Sequence, residues 1–324
     1  MTDTLPPALA EPLFERLTLI GIGLIGSSLA RVARARNLAR HITACDAAPD
    51  VAARASALSL ADTVTTDAAA AARGADLVIL CVPPGAIGAV AASIGPQLKA
   101  GAILSDVSSV KAAVIAAAAP HVPGHANLIP AHPVAGTEYS GPDAGFATLF
   151  LNRWCIVTPP EGARPAAVER LSDFWRGAGS NVELMTPAHH DMVLAITSHV
   201  PHLIAYNIVG TAAHLEAVTQ SEVIKFSAGG FRDFTRIAAS DPTMWRDVFL
   251  NNKDAVLEML GRFNEDLSAL QRMIRYSDGP GLFELFTRTR AIRRSIIAQG
   301  QETAATDFGR RSGEIAGGAD TAKP

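Results

Sequence analysis

A chain of 324 residues with 48% apolar side chains can build one large hydrophobic core or two modest ones, which excludes a disordered chain or a small disulfide-stapled domain. Its formal net charge of −3, with Lys and Arg spread along the chain, offers no basic stripe for a phosphate backbone, so no nucleic-acid partner is expected. Cys45, Cys81 and Cys155 share no CxxC spacing and sit in apolar runs, as buried thiols of a reducing compartment do; with no basic-then-apolar leader at the start, a soluble cytoplasmic protein is expected.

In chain order, the first half alternates β-rich runs with Ala-rich helical stretches, the pattern of βαβ units that build a parallel sheet. Strands are expected at Leu17–Ile20, Ile42–Asp46, Leu77–Val82, Ile103–Val107 and Leu128–Ala131, each a continuous apolar run suited to burial on both faces. Trp154–Thr158 reads as a further strand and Pro159–Pro165 as a linker. One more helix and strand precede Thr186 and Pro187, which open a long helix as N-cap and first helical residue. From there the pattern is helical: His189–Ala217, Gly230–Ala238, Pro242–Met273 and Leu282–Gln299 show no period-2 alternation. The apolar stretch Leu194–Ala213 carries Ser198, His199, His202 and Asn207, which a bilayer core would penalise, so no membrane partner is expected. Residues 300–324 lack an apolar period and read as a disordered tail.

The first chemical motif is Gly21-Ile22-Gly23-Leu24-Ile25-Gly26, directly after the first strand and before a helix. Gly21 permits the tight turn, Gly23 lets the backbone approach a pyrophosphate, and Gly26 allows close helix-to-strand packing, with the phosphates at the helix N-terminus. Alone, such a turn is a weak signal. Asp46, at the end of the second strand and twenty residues past Gly26, sharpens it, because a carboxylate there accepts hydrogen bonds from the adenosine ribose and repels a 2′-phosphate. NAD is therefore expected. Val82 and Pro83 close the next strand, where doubly wound folds line the cofactor crevice. The expected class is α/β: a Rossmann-type doubly wound parallel sheet over residues 13–185, then an all-helical domain over 186–299.

The second motif, HPVAGTEYSG from His132 to Gly141, follows the strand ending near Ala131. Pro133 biases His132 toward an extended backbone, and a histidine at a strand end beside the nicotinamide crevice is placed to take a proton from a substrate hydroxyl. A lone histidine is more often structural; the flanking glycines and Glu138 suggest a shaped loop.

Together with DVSSVK at Asp106–Lys111, ITSHVPH at Ile196–His202 and FRDFTRIAASDPTMW at Phe231–Trp245, that motif makes the chain resemble the prephenate/arogenate dehydrogenase family over roughly Leu17–Gln299. The resemblance implies a nucleotide-binding domain, a helical domain that forms a homodimer, and a cyclohexadienol substrate, prephenate or arogenate. It implies that His132 hydrogen-bonds the ring hydroxyl, that Ser109 shares it near the nicotinamide, that Arg236 binds the ring carboxylate and that His202 contacts the substrate side chain. Glu138, Trp245 and His190, the last in the stretch HHDMVL, are counted with the substrate-binding residues, Trp245 as a candidate to reach into a neighbouring subunit.

A substrate with two carboxylates calls for cationic anchors. Arg232 and Arg236, at i and i+4, share one helix face after Gly229-Gly230, and a guanidinium fork suits a carboxylate; the alternative for either is local pairing with Asp233 on a solvated helix. His199, His202 and Tyr206 share another face, and Pro201 removes an N–H and frees the Thr197 carbonyl, a kink that can open polar groups toward a cleft. The alternative there is a satisfied buried histidine pair. A metal site at the two histidines is rejected for want of a carboxylate cluster with ligand spacing. The expected reaction is oxidative decarboxylation: hydride leaves the carbinol carbon for NAD, His132 draws the hydroxyl proton and CO₂ departs. Two rivals stay open: a β-hydroxyacid dehydrogenase of the same plan, whose mark would be a catalytic lysine in the helical half (Lys225 or Lys253), and an NAD-binding sensor without catalysis.

Overall fold

The computed structural model describes residues 5–137, 139–219 and 228–298, so Glu138, Lys225 and the tail expected at 300–324 lie outside the described residues. Two compact units, Met1–Lys253 and Asp254–Pro324, make up the chain.

In the first unit, six strands form a sheet in the order β3-β2-β1-β4-β5-β6. They are β1 (Phe14–Ile20), β2 (Ala39–Cys45), β3 (Thr63–Thr65), β4 (Leu77–Leu80), β5 (Ile103–Asp106) and β6 (Asn127–Leu128), all paired in parallel. The register places Cys45, Ile20, Leu80 and Asp106 side by side at the carboxyl edge. Chain order reverses between β1 and β4, which is where such sheets open a crevice for a dinucleotide. The apolar runs are continuous because both faces are covered. Leu17, Leu19, Leu77 and Ile79 point into a core with Leu29, Phe174 and Trp175. Their neighbours Ile20, Val78, Leu80 and Leu104 point into a second core with Ile87, Val114 and Trp245. The edge strand β3, three residues that are exposed or half-buried, escapes the sequence reading because it has no apolar run to display.

The strand expected at Leu128–Ala131 divides in two. Asn127 and Leu128 pair with β5; the chain then leaves the sheet through Ile129 and Pro130, which has no N–H to continue a ladder. From Ala131 it enters a second sheet, β7 (Ala131–Pro133), β8 (Trp154–Val157) and β9 (Asn181–Leu184). There His132 lies antiparallel opposite Ile156. The motif histidine thus sits on a short strand rather than in the loop after one.

Thr186 caps the helix Pro187–Leu194 by accepting from the His189 amide at 3.3 Å. Ala195–His199 then widens into a π-helical turn before the helix Val200–Thr219 resumes, in keeping with a proline at 201 that cannot bond the Thr197 carbonyl. The segment Pro187–Leu215 is long and apolar enough by length and composition to cross a bilayer, yet it holds the buried polar residues His190, Asp191 and His199. After the helix Gly229–Thr235 and a 3₁₀ turn, Arg236–Ala239, comes the helix Pro242–Asn251. The single helix expected over Pro242–Met273 is broken at Asn252 (φ −118°, ψ 34°), whose side chain is taken up by the site described below.

The second unit contains most of the helix Lys253–Arg275 and the helix Gly279–Ala298, the latter started by Asp278, whose Oδ1 accepts from the Gly281 amide at 2.9 Å. Val256 and Met259 are buried, while Leu257, Ile274, Phe283, Phe286 and Ile292 are exposed.

Candidate active site

At the switch point, β1 ends and the chain turns at Gly21 (φ +96°), where a Cβ would lie 2.5 Å from the Cys81 carbonyl oxygen. A Cβ on Gly26 would overlap the Gly21 carbonyl oxygen. Both positions therefore require glycine, one for its backbone angle and both for close approach. At Gly23 nothing stands within 4 Å of the added carbon, so this glycine faces open space at the start of the helix Leu24–Arg36. Asp46 follows β2 and is tied into the same turn: Oδ2 accepts from the Ile22 amide at 2.8 Å and Oδ1 from the Ala48 amide at 3.0 Å. Each oxygen keeps a lone pair for a ribose hydroxyl. Val82 packs within 3.1 Å of the Cβ position of Gly21 and Pro83 is exposed beside it. An open glycine at a helix start, bordered by a fixed carboxylate, fits a dinucleotide.

Next along the carboxyl edge lies a buried polar cluster. Asp106 ends β5, and Lys111, fully buried, donates from Nζ to Asp106 Oδ2 at 2.6 Å and to the Ala131 carbonyl at 2.7 Å. The residue before His132 is thus clamped by the far end of the DVSSVK segment. His132 Nδ1 faces His190 Nε2 at 2.8 Å, and His190 Nδ1 faces Asp191 Oδ1 at 2.8 Å. Asp191 also accepts from the Lys111 amide at 2.8 Å and the Ala112 amide at 2.9 Å. Asn252 Nδ2 donates to the Asp191 carbonyl at 2.8 Å and to His199 Nδ1 at 3.0 Å, which accounts for the helix break. Ser109 is half-buried, and its backbone acts on the His199 ring.

Burial governs the electrostatics. It holds the His132 imidazole well below its ordinary range, and the charges of His190, Lys111 and His199 push the same way. His190 is lowered mainly by burial, against the opposing pull of Asp191, and His199 falls to about 4 for the same reason. For Asp191 burial raises the carboxyl, but the hydrogen bonds from His190, Ala112 and Lys111 outweigh it and leave the pKa lowered. Lys111 is lowered by burial despite the Asp106 carboxylate. A neutral His132 with ionised Asp191 is the state these environments favour.

His202 stacks on Trp245 with ring centroids 3.7 Å apart, and His199 meets the Trp245 edge at 6.1 Å. His202 Nδ1 donates to the Ser198 carbonyl at 2.8 Å. Burial lowers its pKa, and the nearby Arg236 charge lowers it further. Arg236, half-buried at the start of the 3₁₀ turn, lies near enough to His202 for its charge to bear on that ring. Trp245 is buried within its own unit, instead of extending outward toward another subunit. Arg232 stands apart: its side chain is 78% exposed and pairs with Asp233 at 3.3 Å, the local pairing that the sequence left open. His190 is fully buried and bonded to His132 and Asp191, so it presents no surface to a substrate. Sequence reasoning passed over Lys111, Asp191 and Asn252. Lys111 and Asp191 stand inside quoted motifs, but nothing local shows that a lysine amide and a carboxylate eighty residues apart will meet.

Comparison with known proteins gives the following. Residues 29–184 match the family model described as prephenate dehydrogenase, nucleotide-binding domain, and residues 186–288 match prephenate dehydrogenase, dimerization domain. The chain is 43% identical, over 87% of its length and 96% of the relative's, to cyclohexadienyl dehydrogenase of Zymomonas mobilis. It is 30% identical to prephenate dehydrogenase of Bacillus subtilis over 86% of this chain and 75% of that one. Among solved structures, prephenate dehydrogenase from A. aeolicus in complex with hydroxyphenyl propionate and NAD⁺ superposes with a TM-score of 0.82 at 30% identity, covering 87% of this chain and 98% of that one. Synechocystis arogenate dehydrogenase superposes at 0.74 with 27% identity over 86% and 99%.

Proposed function

The chain belongs to the prephenate dehydrogenase family, NAD-dependent enzymes that oxidatively decarboxylate a cyclohexadienyl substrate in tyrosine biosynthesis, and from that premise we propose which residues carry each part of the reaction. NAD, when bound, supplies the hydride acceptor. The turn Gly21–Gly26, with Leu24 and Ile25 opening the helix, holds its phosphates; Asp46 takes the adenosine ribose, and Val82 and Pro83 border the crevice. His132 accepts the proton of the ring hydroxyl as the carbinol carbon is oxidised, and Ser109 shares that hydroxyl. Arg236 binds the ring carboxylate until it leaves as CO₂, and His202, backed by Trp245, meets the side chain. Aromatisation supplies the driving force, so the protein contributes orientation and one proton acceptor. His190 moves in this scheme from a substrate contact to a support of His132, and Arg232 is left as a surface residue at the rim.

The reading is supported by the grouping of the motif residues: the Arg236 charge bears on His202, His202 stacks on Trp245, the Trp245 edge meets His199, and the His199 charge bears on His132. Both prephenate and arogenate are taken as substrates, supported by the relative named for the cyclohexadienyl ring alone. Residues 13–185 then form the nucleotide-binding domain and 186–299 the substrate and dimerisation domain. A homodimer is supported by the dimerization-domain match and by the exposed apolar side chains of the second unit. A cytoplasmic location is the reading that the free thiols and the biosynthetic role support.

Absorbance of NADH, followed with each substrate and with NAD⁺ or NADP⁺, tests the assignment. NADH should form with NAD⁺, and His132→Asn should lower kcat by about 10²-fold or more with NAD binding intact. An unchanged kcat in that variant removes His132 from the chemistry.

A further inference from the structure

Four hydrogen bonds, read in sequence, place the protons of the buried chain. Both oxygens of Asp191 receive backbone amides, from Lys111 at 2.8 Å and Ala112 at 2.9 Å, an arrangement that holds the carboxylate ionised and able only to accept. The nitrogen facing its Oδ1 at 2.8 Å, His190 Nδ1, must therefore carry a proton. A neutral imidazole has one N–H, so His190 Nε2 is bare and can only accept. Opposite it at 2.8 Å stands His132 Nδ1, which must then be the donor. His132 Nε2 is left with a free lone pair. The competing arrangement, an imidazolium at His190 donating in both directions, would place a second cation in an enclosed space already occupied by the Lys111 ammonium.

We propose that Asp191 and His190 are positioning residues that lock His132 in the Nδ1–H tautomer, so that Nε2 is the atom receiving the substrate proton. The inference rests on the reading of His132 as the base. Proton accounting closes without any further reactant: the substrate O–H bond breaks, an N–H bond forms at His132 Nε2, and the two Nδ1 protons stay where they are. The imidazolium so formed donates through Nδ1 to His190, whose own Nδ1–H points at the Asp191 anion, so the new positive charge lies at the end of two aligned hydrogen bonds. The ring's backbone is fixed from the other side by Lys111 Nζ on the Ala131 carbonyl at 2.7 Å, and Asp191's by Asn252 Nδ2 on its carbonyl at 2.8 Å. Metal-liganding and nucleophile-activating histidines are commonly oriented by a partner on the second nitrogen; here the partner is another histidine, and the anion stands one residue further back.

Nitrogen-15 NMR of the histidine rings in the full-length protein, with the His132 resonances identified by their loss in His132→Asn, reads the tautomer without reference to turnover. The expected result is a protonated Nδ1 and a bare Nε2 on His132 at neutral pH. In His190→Leu, which removes the acceptor, the ring should show both tautomers, and kcat should fall by about 10²-fold while substrate KM and NAD affinity stay within a few fold. His190→Gln, whose Oε1 can stand where Nε2 stood and accept from His132 Nδ1–H, should restore the single tautomer and part of the lost rate. A proton on Nε2 of wild-type His132, or a His190→Leu protein with unaltered tautomer and kcat, overturns the proposal. If instead the tautomers behave as described but His132→Asn turns over normally, the lock stands and the base assignment fails.

Discussion

At the scale of single residues, the same side-chain type does different work according to what surrounds it. Arg232 and Arg236 share a helical face in the sequence, yet one is spread on the surface beside Asp233 while the other lies near enough to His202 to depress its pKa. An exposed ion pair contributes at most about 1 kcal/mol, whereas a charge-assisted pair to a substrate carboxylate is worth on the order of 2 kcal/mol. Arg236→Ala should therefore raise KM by about 30-fold with a smaller change in kcat, and Arg232→Ala should leave both within a few fold. Steady-state kinetics of the two variants decides it; a flat KM in Arg236→Ala removes the anion anchor from the scheme. Motif and charge were enough to single out His132 and Arg236 as candidates. The partners of His132 were not legible, because a hydrogen bond between residues 58 positions apart leaves no trace in local spacing.

At the scale of elements, the nucleotide turn is the part most completely encoded by local chemistry. Its glycines are required by contacts within the same few residues and with the neighbouring strand end, so Gly26→Ala forces a carbon into the Gly21 carbonyl. Such a clash costs on the order of 1–3 kcal/mol in strain. The expected outcome is a folded protein of lower thermal stability whose NAD affinity, measured by calorimetry, falls about 10-fold or more. Wild-type affinity in that variant would show that helix and strand need no such close approach. The broken elements tell the opposite story. Apolar periodicity runs through Pro242–Met273, yet the helix stops at Asn252, whose side-chain amide is bonded to the Asp191 carbonyl and to His199. Pro130 likewise splits one apolar run between two sheets, and this transfer is what brings His132 beside Lys111 and His190.

For the molecule as a whole, burying a cluster of neutral histidines sets how stability depends on acidity. The unfolded chain takes up protons on these rings near pH 6.5, whereas folded His199 does so only at about 4 and His132 and His190 are also lowered. Between those limits the unfolded state binds more protons, so stability rises with pH and is lost as pH falls. The slope is up to about 1.4 kcal/mol per pH unit for each such ring. Asp191, lowered from 3.8, adds a further loss in more acid solution. Urea midpoints should thus drop markedly from about pH 7 to about pH 5, and equal midpoints would mean that the rings titrate in the folded protein as they do in water. Composition, hydrophobic period and the glycine spacing by themselves determined the α/β class and the dinucleotide turn, because each is a matter of neighbours along the chain or of motif. Only the tertiary structure decided that Arg232 lies exposed beside Asp233 while Arg236 is half-buried near His202, and that His190 is fully buried against His132 and Asp191. Those outcomes depend on burial and on hydrogen bonds between distant segments, and the low-dielectric interior, where every donor must find an acceptor, exists only once the chain has folded.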